Sequence, residues 1–176
     1  MEQRRAKKIG HLREYLLRKA LTAMIKELER LNESEVELML KAPVVLCILI
    51  AGADGTIDKK EIKEAINVTV KKKDKTILDN YFKEVSQDFE DKLKVLLQSY
   101  PYKSSQRNPI LIQELSQINP ILKKLDKTFS KPFYDMLKEL AEKIAGSSGG
   151  LWGMMSVDSE EAKYMRLPML DDPAKK

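Results

Sequence analysis

Carboxylate residues follow directly after the longest apolar run of the chain. Residues 42–53 contain no charged side chain, and Asp54, Asp58 and Glu61 come immediately afterwards. Hard divalent cations such as Ca²⁺ and Mg²⁺ take carboxylate oxygens as ligands. The same residues also suit a helix start, because Asp58-Lys-Lys-Glu61 has the form of a capping box. The spacing alone leaves both interpretations open, a cation site and a helix cap.

The calcium loop of an EF-hand fits only half of this stretch. With Glu61 as the last ligand of a 12-residue loop, Gly55 and Asp58 fall at suitable positions. Ile50 and Gly52 then occupy the first and third ligand positions, and neither has a side-chain oxygen. The pattern therefore argues against an EF-hand.

The form apolar-Asp-x-x-Glu occurs a second time near the end of the sequence. It is present at residues 57–61 and again at residues 157–161, which contain Asp158 and Glu161. The residues just before the two copies differ. The first copy is preceded by Asp54-Gly55 and the second by Met154-Met155. A site that used both copies would be asymmetric.

Residues 44–61 resemble the signature of TerB-like domains, the tellurite-resistance TerB family that also supplies the N-terminal domain of DjlA-type co-chaperones. The family motif is an apolar helix ending in Ala-Asp-Gly, then an apolar and an acidic residue. Here these are Ala53-Asp54-Gly55, Ile57 and Glu61. Residues 141–150 with residues 157–161 look like the second family signature, so the resemblance covers most of residues 33–167.

The resemblance implies an all-α domain in which a pseudo-twofold arrangement brings the two acidic helix starts together around a divalent cation. It predicts a site for Ca²⁺ or Mg²⁺ with the ligands Asp54, Asp58, Glu61, Asp158 and Glu161. It also implies a non-enzymatic interaction or stress-response module with a protein partner.

The sequence lacks the residues of common catalytic sets. His11 is the only histidine and Cys47 the only cysteine. A single cysteine excludes an intramolecular disulfide, and with one histidine no Ser-His-Asp set stands out. Cys47 lies in the apolar run and is expected to be a small buried side chain. A hydrolase with a carboxylate-bound metal is disfavoured, because no second-sphere base such as a histidine is visible. We therefore predict that the protein is not an enzyme.

Positive charge is concentrated at the N-terminus. Residues 1–30 contain nine Lys and Arg against four Glu, which equals the net charge of +5 of the whole chain. This supports an alternative function, a structural adaptor without metal that docks on a membrane surface, nucleic acid or a partner protein through its basic N-terminal helix. Tyr15 is the only Phe, Tyr or Trp among these residues, which is too few for base stacking, so no specific nucleic acid is predicted.

Neither a membrane span nor a secretion signal is recognisable. The longest apolar run has 12 residues, fewer than the roughly 18 that a spanning helix needs. The basic N-terminus has no continuous apolar stretch after it. The expected location is cytoplasmic.

Apolar residues recur at helical spacing, and sustained alternation is absent. The pattern predicts one compact all-α domain of seven or eight helices. It comprises a basic arm at 1–10, a helical domain at 11–168, which the resemblance identifies as TerB-like, and a tail at 169–176. The first helices are expected at 11–31, from a cap at Asn32 or Ser34 to a break or kink near Lys41-Ala42, and from Pro43 to about Gly52.

The remaining expectations follow from start and stop signals. They are a helix at about 58–72, an apolar face from Ile77 to Val85 continued by Phe89 to Leu97, and a loop at 100–108. Two Asn-Pro pairs, Asn108-Pro109 and Asn119-Pro120, predict helix starts. The last long helix should begin at Ser130 and end at Gly146, with a short helix reaching about Leu167.

Overall fold

The computed structural model describes residues 25–52, 77–87, 89–147 and 163–175. Within these ranges there are no strands, and the chain forms a 3₁₀ turn at Lys26–Leu28, a helical turn at 163–165 and six α-helices. The helices are α1 (Glu33–Ala51), α2 (Asp79–Gln87), α3 (Phe89–Ser99), α4 (Ser104–Ser116), α5 (Ile118–Lys124) and α6 (Lys127–Ser147). The predicted all-α class is confirmed for this part of the chain, whereas the predicted helix at 58–72 lies outside it.

Helix α1 is the centre of the fold. It contacts each of the other five helices, and all residues from Ala42 to Ala51 are buried. A helix that is apolar on every side is stable only inside a core. Its start is capped as predicted, because Asn32 Oδ1 accepts from the Glu35 amide at 3.0 Å and Glu35 Oε2 accepts from the Asn32 amide at 3.1 Å.

A break or kink near Lys41-Ala42 was predicted, with a second helix from Pro43. The break is wrong, because α1 continues through Pro43 as one helix. Proline cannot donate to the carbonyl four residues earlier, which belongs to Met39. The Tyr81 hydroxyl of α2 donates to that carbonyl at 2.7 Å instead, in a buried position. A tertiary hydrogen bond thus replaces the missing helical one, and the apolar surroundings keep the helix intact.

Three other predicted boundaries are also wrong. Helix α4 begins at Ser104, so the loop is shorter than 100–108 and Pro109 lies inside the helix. Helix α6 begins at Lys127, where the Asp126 carbonyl accepts from the Phe129 and Ser130 amides at 2.9 Å each, and it passes Gly146 to reach Ser147. Pro109 and Pro132 lie in the second turns of α4 and α6. The carbonyls that they leave without a helical donor belong to Ser105 and Thr128, which are exposed to water.

The predicted helix at 11–31 is described only at its end. There, bonds from Leu28 to Ile25 at 2.9 Å and from Leu31 to Leu28 at 3.0 Å replace the α-helical pattern. The tighter turn places all three side chains in the core. The end of this predicted helix is therefore a 3₁₀ turn.

The core face of α6 consists of residues that recur at helical spacing in the sequence and are all buried in the structure: Phe133, Met136, Leu137, Leu140 and Ile144. Tyr81 packs edge-on against Phe133, with ring centroids 5.3 Å apart. Cys47 is fully buried, as expected.

The C-terminal segment packs on α5. The sequence had suggested that Asn119 caps this helix, but Asn119 is its second residue. Its amide nitrogen donates to the Met169 carbonyl at 3.0 Å, and its oxygen accepts from the Asp171 amide at 2.8 Å. Met169 and Leu170 are buried as a result. None of the helices in the described ranges is long and apolar enough to cross a membrane.

Candidate functional site

The predicted cation ligands lie outside the described residues. These ligands are Asp54, Asp58, Glu61, Asp158 and Glu161. The basic arm at 1–10 also lies outside the described residues. Within the described ranges, no three His, Cys, Asp or Glu side chains lie close enough together to hold a metal ion. The structure does describe Gly52, two residues before Asp54, and its surroundings define the point from which the acidic stretch departs.

Helix α1 ends at Gly52 without a positive side chain of its own. Its last turn contains no Lys, Arg or His, although unpaired carbonyls there carry partial negative charge. The missing charge comes from α4, where Arg107 Nη2 donates a hydrogen bond to the Gly52 carbonyl. A residue 55 positions away therefore caps the central helix.

The contact between Arg107 and Gly52 requires a glycine. A Cβ atom at position 52 would lie 2.6 Å from Arg107 Nη2 and 2.7 Å from the Ile48 carbonyl oxygen. Real Cβ atoms do not approach other atoms so closely, so the guanidinium would have to move. The absence of a side chain lets Arg107 reach the backbone.

Arg107 is a buried cation held by backbone carbonyls. Its side chain is only 4% exposed, and Nη1 donates to the Tyr102 carbonyl at 3.0 Å. None of the carboxylates in the described ranges forms an ion pair with it. Burial lowers the pKa of Arg107, but a guanidinium remains protonated in proteins. The positive charge is thus offset mainly by carbonyl dipoles.

Two buried polar atoms in the first turns of α4 have no hydrogen-bond partner among the described residues. They are Arg107 Nε and Asn108 Oδ1, a donor and an acceptor on neighbouring residues. Buried polar atoms are rarely left unpaired, because desolvation without a hydrogen bond is unfavourable. The end of α1 and the start of α4 therefore meet at a position with unused hydrogen-bonding capacity.

A second polar cluster lies at the other half of α1. A groove of about 330 Å³ runs between the first turns of α1 and the α4–α5 junction, lined by Leu38, Lys41, Glu114, Pro120, Ile121 and others. Lys41 Nζ and the Tyr100 hydroxyl both donate to the Glu114 carboxylate. The Lys41 ammonium also lies 5.5 Å from the centre of the Tyr100 ring.

The charges of this cluster hold α1 and α4 together and do not favour proton transfer. Burial lowers the pKa of Lys41, but its bonds to Glu114 and Tyr100 outweigh that effect and leave the pKa raised. Burial and the bond to Glu114 raise the pKa of Tyr100 to about 12. At neutral pH the lysine is charged and the tyrosine is neutral, so neither is poised as a general base.

Sequence reasoning missed Arg107, Tyr100 and Glu114. Residues 100–108 were expected to form a loop, which gave Arg107 no reason to be buried. One signal was available, since residues 42–53 offer no cation for the end of a long helix. That signal indicates that a partner is needed, but it does not say which of the 32 Lys and Arg residues supplies it.

Comparison with protein-family models, with curated proteins and with solved structures finds no match to this chain.

Proposed function

We propose that the chain is a non-enzymatic, TerB-like helical module that binds a divalent cation, Ca²⁺ or Mg²⁺, and acts as an interaction or stress-response protein. The proposed ligands are Asp54, Asp58 and Glu61, aided by Asp158 and Glu161. The proposal rests on the sequence resemblance, and one structural observation supports it.

That observation is the anchored end of α1. The acidic stretch begins two residues after Gly52, whose carbonyl is bound by a buried arginine. A binding site needs ligands that leave a rigid element at a defined point, because loosely held ligands lose affinity to ordering. The buried helix and its remote cap provide such a point.

Calorimetric titration of CaCl₂ and of MgCl₂ into protein freed of metal with EDTA tests the cation site. Binding to the wild type should be measurable, and millimolar cation should raise the melting temperature by mass action. Glu61→Gln should weaken binding at least about tenfold, because it removes a charged ligand. Glu142→Gln, an exposed change on α6, is the matched control.

Asp58→Asn separates the two interpretations of the acidic motif. Asparagine caps a helix about as well as aspartate, but it supplies no negative charge to a cation. A cation site predicts weakened binding with little change in the melting temperature without metal. If neither ion binds the wild type or raises its melting temperature, the cation proposal is wrong.

The structural adaptor without metal is the second candidate. It is supported by the described end of the basic segment, where Lys26 and Arg30 are exposed while Ile25 and Leu28 are buried. These two basic side chains therefore face solvent. Deletion of residues 1–10 should then reduce co-sedimentation with anionic liposomes or retention of oligonucleotides, and unchanged retention would contradict docking through the arm.

A further inference from the structure

The start of α4 combines several features of an anion site. The helix has 13 residues, Lys103 at its N-cap and no acidic residue in its first turn. The Lys103 side chain makes no capping bond, and the Lys103 carbonyl accepts from the Gln106 and Arg107 amides at 3.0 and 2.9 Å. The amides of Ser104 and Ser105 have no acceptor within the helix.

Arg107 adds a second, independent feature at this helix end. Its Nη1 donates to the carbonyl of Tyr102, the residue just before the N-cap position, so the guanidinium lies against the start of the helix. The side chain is more than nine-tenths buried, and its Nε has no partner among the described residues. A buried cation is stabilised by negative charge nearby. Carbonyl dipoles at the end of α1 offset part of the charge of this guanidinium, but at the start of α4 it lies beside the positive end of a helix dipole.

Gly52 supplies part of that negative charge, but only as a carbonyl dipole. No side chain in the described ranges forms an ion pair with the guanidinium. We propose that the N-terminal end of α4 binds a phosphate group, either free or as a monoester on a larger molecule. The Ser104 and Ser105 amides, the Lys103 ammonium and the Arg107 guanidinium are its donors.

Phosphate fits this donor set better than a carboxylate does. Three or more oxygens can accept bonds from diverging donors, and helix N-termini with free amides are well suited to such anions. Ser104 and Ser105 add hydroxyl donors, and the exposed Lys103 can reach the anion from the solvent side. The phosphate site goes beyond the proposed function and uses none of the proposed cation ligands.

Titration of inorganic phosphate, followed by calorimetry and by melting temperature, tests the proposal against chloride at the same ionic strength and pH. The wild type should bind phosphate with a Kd on the order of 1 mM and should melt at a higher temperature in phosphate than in chloride. Glycerol phosphate and vesicles containing phosphatidic acid serve as further probes and distinguish a soluble monoester from a lipid headgroup.

Lys103→Asp is the informative variant, because it should raise the melting temperature and lower the affinity for phosphate. Aspartate is a preferred N-cap residue, so the melting temperature without phosphate should rise. The same carboxylate would occupy the free amides and repel phosphate, so binding should weaken at least about tenfold. Lys138→Asp, an exposed change on α6, alters the net charge equally and should leave phosphate binding unchanged.

Ser104→Pro provides a second test with little risk to folding. Proline is favoured at the first helical position, and it removes one amide donor and one hydroxyl. Phosphate binding should weaken several-fold while the fold is retained. The proposal is overturned if phosphate stabilises the wild type no more than chloride does, or if Lys103→Asp and Lys138→Asp affect binding equally.

Discussion

The two ends of α1 are stabilised in different ways. At the exposed N-terminal end, Asn32 and Glu35 bond to each other's amides within a single turn. At the buried C-terminal end, Gly52 relies on Arg107 from another helix. A local cap forms with its own helix, whereas a remote cap exists only when α1 and α4 are packed together. The C-terminal end should therefore report on tertiary structure, and the N-terminal end on the helix alone.

Replacement of Arg107 should have the largest effect. Arg107→Ala removes charge-assisted hydrogen bonds to two carbonyls, and we expect a loss of about 3 kcal/mol in the free energy of unfolding. Urea denaturation followed by circular dichroism measures it. Arg166→Ala, at an exposed arginine, should change stability by less than about 0.5 kcal/mol.

Gly52→Ala sharpens this comparison, because its new Cβ would collide with the guanidinium. It should cost about 1–3 kcal/mol in the wild type and less once Arg107 is already alanine. Additive effects of the two substitutions, or an Arg107→Ala cost no greater than that of a surface cap, would contradict the remote cap.

Most of the helical class was predictable from the sequence, and the boundaries were not. The stripe of α6 and the cap at Asn32 depend on neighbours along the chain, so spacing and residue type predict them. Pro43 should have ended a helix by the same local rules. It does not, because Tyr81, 38 positions later, supplies the hydrogen bond that proline cannot. Local rules fail where a distant side chain satisfies the backbone.

The same distinction separates the candidate sites. The acidic motif was identified from residue types within 20 positions, and it remains a prediction. The start of α4 was not identified, because Lys103, Ser104 and Arg107 were assigned to a loop. Their importance depends on the burial of Arg107 against Gly52, which is a tertiary property. Composition and spacing contain no direct signal for a charge buried by packing.

The local cap should be worth less than the remote one. Asn32→Ala removes the oxygen that accepts from the Glu35 amide, and we expect a loss of about 1 kcal/mol, measured by urea denaturation. Asn32→Asp should restore most of it, since aspartate caps equally well. Native-state hydrogen exchange should show faster opening confined to the first turn of α1. Faster exchange throughout α1 would mean that the two ends are not independent.

The smallest effect should be the pH dependence of the capping box. The Lys124 side-chain bond and then the Asn32 amide lower the pKa of Glu35 below its ordinary value of 4.5. The carboxylate form is thus favoured in the folded protein. Its stabilisation is present above pH 4.5 and is lost as the pH falls through the lowered pKa.

Lys124→Met should lower the melting temperature by about 1–2 °C at pH 7. That difference should shrink as the pH falls below 4.5 and through the lowered pKa of Glu35. If it is unchanged once the carboxylate is protonated, the contribution of Lys124 comes from packing and not from its charge. Because this ion pair lies at the surface, with the Lys124 side chain 50% exposed, 0.5 M NaCl should reduce the difference at pH 7. The effect of Arg107→Ala should be insensitive to salt, because Arg107 is buried from solvent.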